Sequence, residues 1–102
     1  MTDFKDVEWL ARTADVQVRV NTLAPHASTP WHYHSEVKDD VFGLEDGLEV
    51  GLRDPEEVLL LRPGARVQIL PGRVHRVANT SARPVRYLLV QATGRYDFNA
   101  VS

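Results

Sequence analysis

Residues 64–79, GARVQILPGRVHRVAN, contain two short strand-like runs, RVQIL and VHRVAN, each preceded by a Pro-Gly turn signal. Proline and glycine favour tight turns, whereas the valines, isoleucine and leucine between them favour extended backbone. The stretch therefore predicts strand, turn and strand within sixteen residues. A polypeptide that reverses this quickly is typical of an antiparallel β-protein.

The same alternation of strand-like runs and turn residues continues in both directions along the chain. Strand-like runs such as VLLLR and VRYLLVQA recur at intervals of about 8–12 residues, with Gly, Pro and Asp between them, which indicates an all-β sandwich or barrel. In residues 15–23, DVQVRVNTL, valines alternate with polar residues, so we expect a strand with its valines on the buried face. The segment KDVEWLART predicts at most one helical turn, and the tail GRYDFNAVS either adds a last strand or folds over the barrel.

Size and charge restrict the possible functions. A chain of 102 residues has room for one domain, and 43% hydrophobic with 25% charged residues is typical of a folded protein. A net charge of −2 offers no electrostatic basis for binding nucleic acid or an anionic membrane, so a small molecule is the expected partner. The absence of cysteine excludes disulfides and thiolate metal sites. No run is long enough to span a bilayer, and we expect a cytoplasmic protein.

Three of the four histidines have a spacing that suggests a metal site. Side chains at i and i+2 of a strand share a face, so His32 and His34 project together about 7 Å apart, while Tyr33 points away. A third ligand would come from His75, at the start of another predicted strand. Imidazole suits Zn, Cu, Fe and Ni, and an added carboxylate extends the choice to Mn.

The order of these residues resembles the two motifs of the cupin superfamily. The first motif, G-x5-H-x-H-x(3,4)-E-x6-G, corresponds to residues 26–47, with His26 in place of the opening glycine. The second, G-x5-P-x-G-x2-H-x3-N, corresponds to residues 64–79, with Leu70 in place of the proline. The motif glycines and Asn79 are expected to shape turns, and His26 is expected to be a loop residue.

The acidic position of the first motif is ambiguous because the spacing is one residue too long. Counting back from Gly47 selects Asp40, counting forward from His34 selects Asp39, and Glu36 has the parity of the histidines. We prefer Asp40, because residues 45–47 are predicted to form a tight hairpin turn that fixes the facing of the strand before it. Asp39 and Glu36 stay open as alternatives.

The resemblance implies one cupin domain over residues 1–102, folded as a double-stranded β-helix, or jelly roll, of two antiparallel sheets. It implies one divalent metal ion, Fe, Mn, Ni or Zn, bound by His32, His34, His75 and Asp40. It also favours a homodimer, for which Trp9 and the strand at residues 15–23 offer a pairing surface.

The predicted inward residues describe a largely apolar pocket suited to a small oxygenated molecule; they are Phe42, Val67, Ile69, Tyr87, Leu89 and Gln91. Three hypotheses follow: a dioxygenase, a sugar or keto-acid isomerase or lyase with the metal as Lewis acid, and a binding module without catalysis. An isomerase needs a proton carrier, and the candidates are Tyr33, Glu36, Tyr87 and a metal-bound hydroxide. Since no histidine is spare, oxygen chemistry is slightly favoured.

Overall fold

The computed structural model describes residues 4–102 as ten strands in two antiparallel sheets of five. The strands are β1 (Phe4–Arg12), β2 (Val16–Leu23), β3 (His32–Tyr33), β4 (Lys38–Gly43), β5 (Leu48–Leu52), β6 (Glu57–Leu61), β7 (Arg66–Ile69), β8 (His75–Asn79), β9 (Val85–Ala92) and β10 (Asn99–Ala100). The first sheet has the order β1-β2-β9-β4-β7, and the second has the order β10-β3-β8-β5-β6. This is the predicted double-stranded β-helix.

The segment that we expected to contain at most one helical turn is instead strand β1, which pairs with β2. Tertiary pairing outweighs its weak helical periodicity. Residues 4–102 contain no helix at all, and therefore none that could cross a membrane. The tail does both things proposed for it, because β10 pairs with β3 while Tyr96 and Phe98 cover the mouth of the barrel.

The core of the barrel is apolar at the end opposite the histidines. Val85 lies opposite Leu23 on the first sheet, and Leu48 lies opposite Leu61 on the second. All four side chains are buried, and Val41, Val50 and Val77 continue the cluster toward the middle of the barrel. Their alternation with outward residues follows from the two-residue period of a strand.

The prediction for β2 had the correct period and the wrong face. Gln17, Arg19 and Asn21 point into the barrel, whereas the alternating valines point outward and are only partly buried. A half-buried strand ordinarily places its apolar side inward, but this strand borders a cavity that accommodates polar groups. The periodicity in the sequence is the same for either facing, so only the tertiary arrangement selects one.

The turn between β4 and β5 also differs from the prediction. These two strands do not pair: β4 lies between β9 and β7, while β5 lies between β8 and β6. Residues 44–47 thus carry the chain from one sheet to the other, and they cannot set the register of a hairpin. The extra residue of the first motif is accommodated in this connection, with the result that Asp39 faces inward and Asp40 outward.

Candidate metal centre and its cavity

The three motif histidines meet at one end of the barrel. His32 on β3 is directly opposite His75 at the start of β8, and His34 follows just after β3. Ring centroids lie 5.0 Å apart for His32 and His34, 4.3 Å for His32 and His75, and 5.4 Å for His34 and His75. All three side chains are buried, and Tyr33 between them points away from the cluster, as predicted.

Each histidine is held in the same tautomer by a backbone carbonyl. Nδ1 lies 2.7 Å from the oxygen of Pro30 in His32, 2.6 Å from that of Asp97 in His34, and 2.8 Å from that of Arg73 in His75. A carbonyl oxygen can only accept, so each Nδ1 carries a proton and donates it. The neutral ring then presents the lone pair of Nε2 to the cluster, which is the arrangement of histidines that bind metals.

Asp39 completes the cluster. Its Oδ2 lies 3.1 Å from Nε2 of His75 and 3.3 Å from Nε2 of His34, while its Oδ1 accepts a 3.0 Å hydrogen bond from Nε2 of Gln91. The carboxylate thus faces two imidazole nitrogens whose neutral forms would also be acceptors. A buried cluster made of a carboxylate and imidazole acceptors is stable only when a proton or a cation lies among the acceptor atoms.

The pKa values respond to this crowding. Burial would raise the pKa of the Asp39 carboxyl, but hydrogen bonds from His34 and His75 hold it well below its usual range. Burial also opposes protonation of His34, but the hydrogen bond to Asp39, the charge of Asp39 and the Asp97 carbonyl together outweigh burial and raise the His34 pKa. Burial, aided by the nearby His75, lowers the pKa of His32 to about 4. Positive charge is therefore favoured beside Asp39 and disfavoured at His32.

The donor set fits a divalent metal ion. One ligand atom from each of His32, His34, Asp39 and His75 lies within 4.8 Å of the others. Three nitrogens and one oxygen suit borderline metals such as Zn, Fe, Ni and Mn. These four residues, which all line the same cavity, could therefore hold a metal ion.

This corrects our preference for Asp40 as the acidic residue. Asp40 points out of the barrel, where it meets Arg66 at 3.2 Å and Gln68 at 3.2 Å. Glu36, the third candidate, is exposed and accepts a 3.2 Å hydrogen bond from the backbone N–H of Arg95. Asp39, which we kept as an alternative, is the acid beside the histidines.

A cavity of about 300 Å³ opens in front of the cluster. It is lined by Arg19, Thr29, His32, His34, Asp39, Val41, His75, Val77, Tyr87, Leu89, Gln91, Tyr96 and Phe98. Tyr87, Leu89 and Gln91, which we predicted to face inward from β9, all line it. Val67 and Ile69 pack in or against the core instead, and Phe42 faces outward because it shares the parity of Asp40.

Six lining residues were missed from the sequence; they are Arg19, Thr29, Val41, Val77, Tyr96 and Phe98. Thr29, Tyr96 and Phe98 come from irregular segments, where no period indicates facing, and Arg19 was assigned to the outer face. Phe98 stacks on His32 with ring centroids 4.3 Å apart, and Tyr96 approaches His34 at 5.4 Å. The alternation of Tyr96 and Phe98 with polar residues was the available signal.

The family model of the Cupin domain matches residues 19–91, which is most of the chain. The chain is a cupin. The motif positions now have physical explanations in this cupin. His26, which replaces the first glycine, has φ of +58°, a conformation that favours glycine. Gly72 has φ of +84°, and its N–H donates to the carbonyl of His34, which connects the two motifs.

Asn79 supports the loops at the far end of the cupin barrel. Its Nδ2 donates to the carbonyls of Leu23, Ala24 and Arg83, and its Oδ1 accepts from Ser81. The expected role of Asn79 in holding a turn is thereby confirmed.

Solved structures similar to this cupin share its fold at low sequence identity. TT1209 from Thermus thermophilus is 24% identical, with a TM-score of 0.75 over 86% of this chain and 82% of that chain. The polyketide cyclase RemF from Streptomyces resistomycificus is 22% identical, with a TM-score of 0.77 over 99% of this chain and 75% of that one. KdgF from Halomonas sp. is 16% identical, with a TM-score of 0.73 over 91% and 87%. No curated protein matches the cupin in sequence.

Proposed function

We propose that this cupin is a metal-dependent enzyme acting on a small oxygenated organic molecule, with one divalent metal bound by His32, His34, His75 and Asp39. The observation that carries the proposal is the fixed tautomer of all three histidines at the base of an open cavity, where the Nε2 atoms of His34 and His75 face the Asp39 carboxylate. A divalent metal would supply Lewis-acid or redox chemistry there. Four protein ligands leave room for substrate, as a catalytic site requires.

Of the possible reactions, oxygen chemistry of the dioxygenase type is favoured. Isomerases and lyases need a proton carrier beside the substrate. Of the three side-chain candidates, Tyr33 and Glu36 lie outside the cavity, and burial raises the pKa of Tyr87 well above its usual range. Tyr87 would therefore remain protonated and serve as a hydrogen-bond donor or a wall, not as a base.

The test begins with elemental analysis of protein purified without chelator, for Fe, Mn, Ni and Zn. Anaerobically loaded Fe(II) protein is then mixed with oxygenated buffer and a panel of chelating diketones, keto acids and catechols. We expect stoichiometric metal and substrate-dependent oxygen uptake, both lost in His32→Ala. Metal bound without oxygen uptake across the panel would remove the dioxygenase proposal and leave the metal site.

A binding module is the second candidate, because in the described part of the cavity the cluster itself supplies the only lining carboxylate and imidazoles. In that case a ligand would bind metal-loaded protein stoichiometrically and be recovered unchanged after long incubation. Turnover of the ligand under those conditions would exclude this alternative.

The proposed assembly is a homodimer formed through the outer face of the first sheet. Residues 6–12 of β1 are all exposed. Val18 on the neighbouring strand β2, and Val90 opposite it on β9, are only partly buried on the outer face. An apolar face that ends in a free strand edge suits a second copy related by a two-fold axis. Light scattering should give twice the 11.5 kDa chain mass. We expect Val18→Glu to be monomeric, whereas Val58→Glu, at a position 64% exposed on the other sheet, should remain dimeric.

A further inference from the structure

Arg19 lies in an unusual place for an arginine. Its side chain points into the barrel from β2, is only 9% exposed, and lines the same cavity as the histidine cluster. Burying a guanidinium is unfavourable unless its charge and its N–H groups find partners. The surroundings of Arg19 therefore need an explanation.

Those surroundings include a second cation, because the Arg12 guanidinium lies 4.4 Å from the Trp9 ring that Arg19 also approaches. Nη1 donates a 3.0 Å hydrogen bond to Gln17, and the guanidinium lies 5.0 Å from the Trp9 ring and 5.8 Å from the Tyr96 ring. Burial raises the pKa of the Tyr96 hydroxyl, and the adjacent Arg19 partly opposes this. Within residues 4–102 no carboxylate forms an ion pair with Arg19. With five N–H donors in a planar fork, Arg19 retains capacity for a bidentate anion.

The register of the first sheet shows where the Arg19 guanidinium lies relative to the histidine cluster. Gln17 is opposite Gln91, which is opposite Asp39, and Arg19 is opposite Leu89 in the next inward row. Arg19 and Asp39 therefore lie two strands apart on one concave wall, about 10 Å in the pairing direction. The apolar side chain of Leu89 lies between them. A ligand that filled this space would meet a cation at one end and the metal cluster at the other.

We propose that Arg19 binds the carboxylate of a small organic acid whose apolar body packs on Leu89 and whose other oxygen atoms face the histidine cluster. This inference deepens the proposed function by naming its substrate class, and its metal-dependent part rests on that function. The Arg19 subsite itself requires no metal. A carboxylate would satisfy the unpaired charge, and the apolar cavity wall favours an organic acid over a bare inorganic anion.

The test compares carboxylates with matched neutral amides. Benzoate, isobutyrate and succinate, together with benzamide, isobutyramide and succinamide, are titrated by calorimetry into chelator-treated protein and into Zn²⁺-loaded protein. We expect at least one acid to bind both forms more tightly than its amide. Arg19→Gln should weaken that acid roughly ten- to a hundredfold, as loss of a charged hydrogen bond does, and should leave the amide unchanged.

Two further variants control for charge and folding. Arg19→Lys retains the positive charge without the planar fork, so it should recover only part of the affinity. Arg86→Gln removes an arginine that is 57% exposed on the outer face of β9, and it should bind the acid like the wild type. The melting temperature of Arg19→Gln should be unchanged or higher, because the substitution removes a buried charge that has no carboxylate partner. If Arg19 instead served to stabilise the fold, the substitution would lower the melting temperature.

The outcomes separate this inference from the proposed function. Equal affinity for acids and amides in both forms of the wild type, or undiminished acid binding by Arg19→Gln, overturns the Arg19 subsite. Inorganic phosphate binding as tightly as the best acid would also overturn it, because the apolar wall would then contribute nothing. Arg19-dependent acid binding by protein that never retains metal supports the subsite and rejects the metal-dependent enzyme.

Discussion

The two ends of the barrel are built from the same strands but have opposite chemistry. At one end, β9 contributes Val85 and β2 contributes Leu23 to a buried apolar cluster. At the other end, β9 contributes Gln91 and β2 contributes Gln17, with the histidines and Asp39 nearby. Each strand thus changes from apolar to polar along its inward face.

This difference indicates where stability and function reside. The apolar end gains free energy of folding from buried hydrocarbon. The polar end buries imidazoles, a carboxylate and a guanidinium, which are unfavourable without partners. We therefore expect substitutions at the apolar end to affect mainly unfolding, and substitutions at the polar end to affect mainly binding.

The largest expected effect on stability is at the apolar end. Leu61 is 1% exposed, so Leu61→Ala should reduce the free energy of unfolding by about 2–5 kcal/mol through lost burial and the cavity left behind. Its neighbour Leu60 is 59% exposed, and Leu60→Ala should change stability by less than about 0.5 kcal/mol. Urea denaturation of the metal-free proteins measures both. Equal effects of the two substitutions would contradict the assignment of this end as the stabilising core.

The next largest effect concerns the cluster itself. Loss of a residue that only supports a metal ligand typically weakens metal binding ten- to hundredfold. His75→Ala removes a ligand itself, so it should weaken Zn²⁺ or Co²⁺ binding by more than that. The metal-free variant should be as stable as the wild type or more stable, since one crowded polar group is removed. His26→Ala is the control, because His26 is exposed and outside the cavity. Competition with a chelating dye measures affinity, and unchanged affinity in His75→Ala would contradict the site.

The correction of the acidic ligand predicts a contrast between adjacent residues. Asp39→Asn should weaken metal binding by about tenfold or more, because a charged ligand becomes a neutral amide. Asp40→Asn should bind metal like the wild type, since that side chain pairs with Arg66 outside the barrel. The same chelator competition compares the two, and the reverse pattern would restore our original preference for Asp40.

The smallest effect is the pH dependence of metal binding. His34 has a raised pKa because Asp39 and the Asp97 carbonyl together outweigh burial, so below that pKa the metal must displace a proton. Affinity should therefore rise by about tenfold per pH unit up to the His34 pKa and then level off. His32, with its pKa lowered to about 4, stays neutral between pH 5.5 and 7.5 and adds no slope over this roughly two-unit range.

Asp39→Asn provides the control for this pH dependence, because removal of the carboxylate should lower the His34 pKa and flatten the profile. A slope that persists unchanged in Asp39→Asn would show that another group titrates.

The candidate site could be predicted in part. The three histidines follow from strand parity and motif spacing, because both are local properties. The acidic residue could not be predicted in this way, because the direction of its side chain was inferred from a hairpin that the fold does not contain. Arg19 was missed for a related reason: alternation on β2 is visible in the sequence, but which half faces the cavity is not.

The sequence by itself determined the all-β class, the succession of strands after β1, the family and the three histidines. These follow from turn residues, the two-residue period and motif spacing, which act over a few positions. Only the tertiary structure decided that β4 and β5 belong to different sheets, that Asp39 faces inward, and that Tyr96, Phe98 and Arg19 border the cavity. Such contacts depend on which distant strands pair, and the free energy of that choice is spread over the whole barrel.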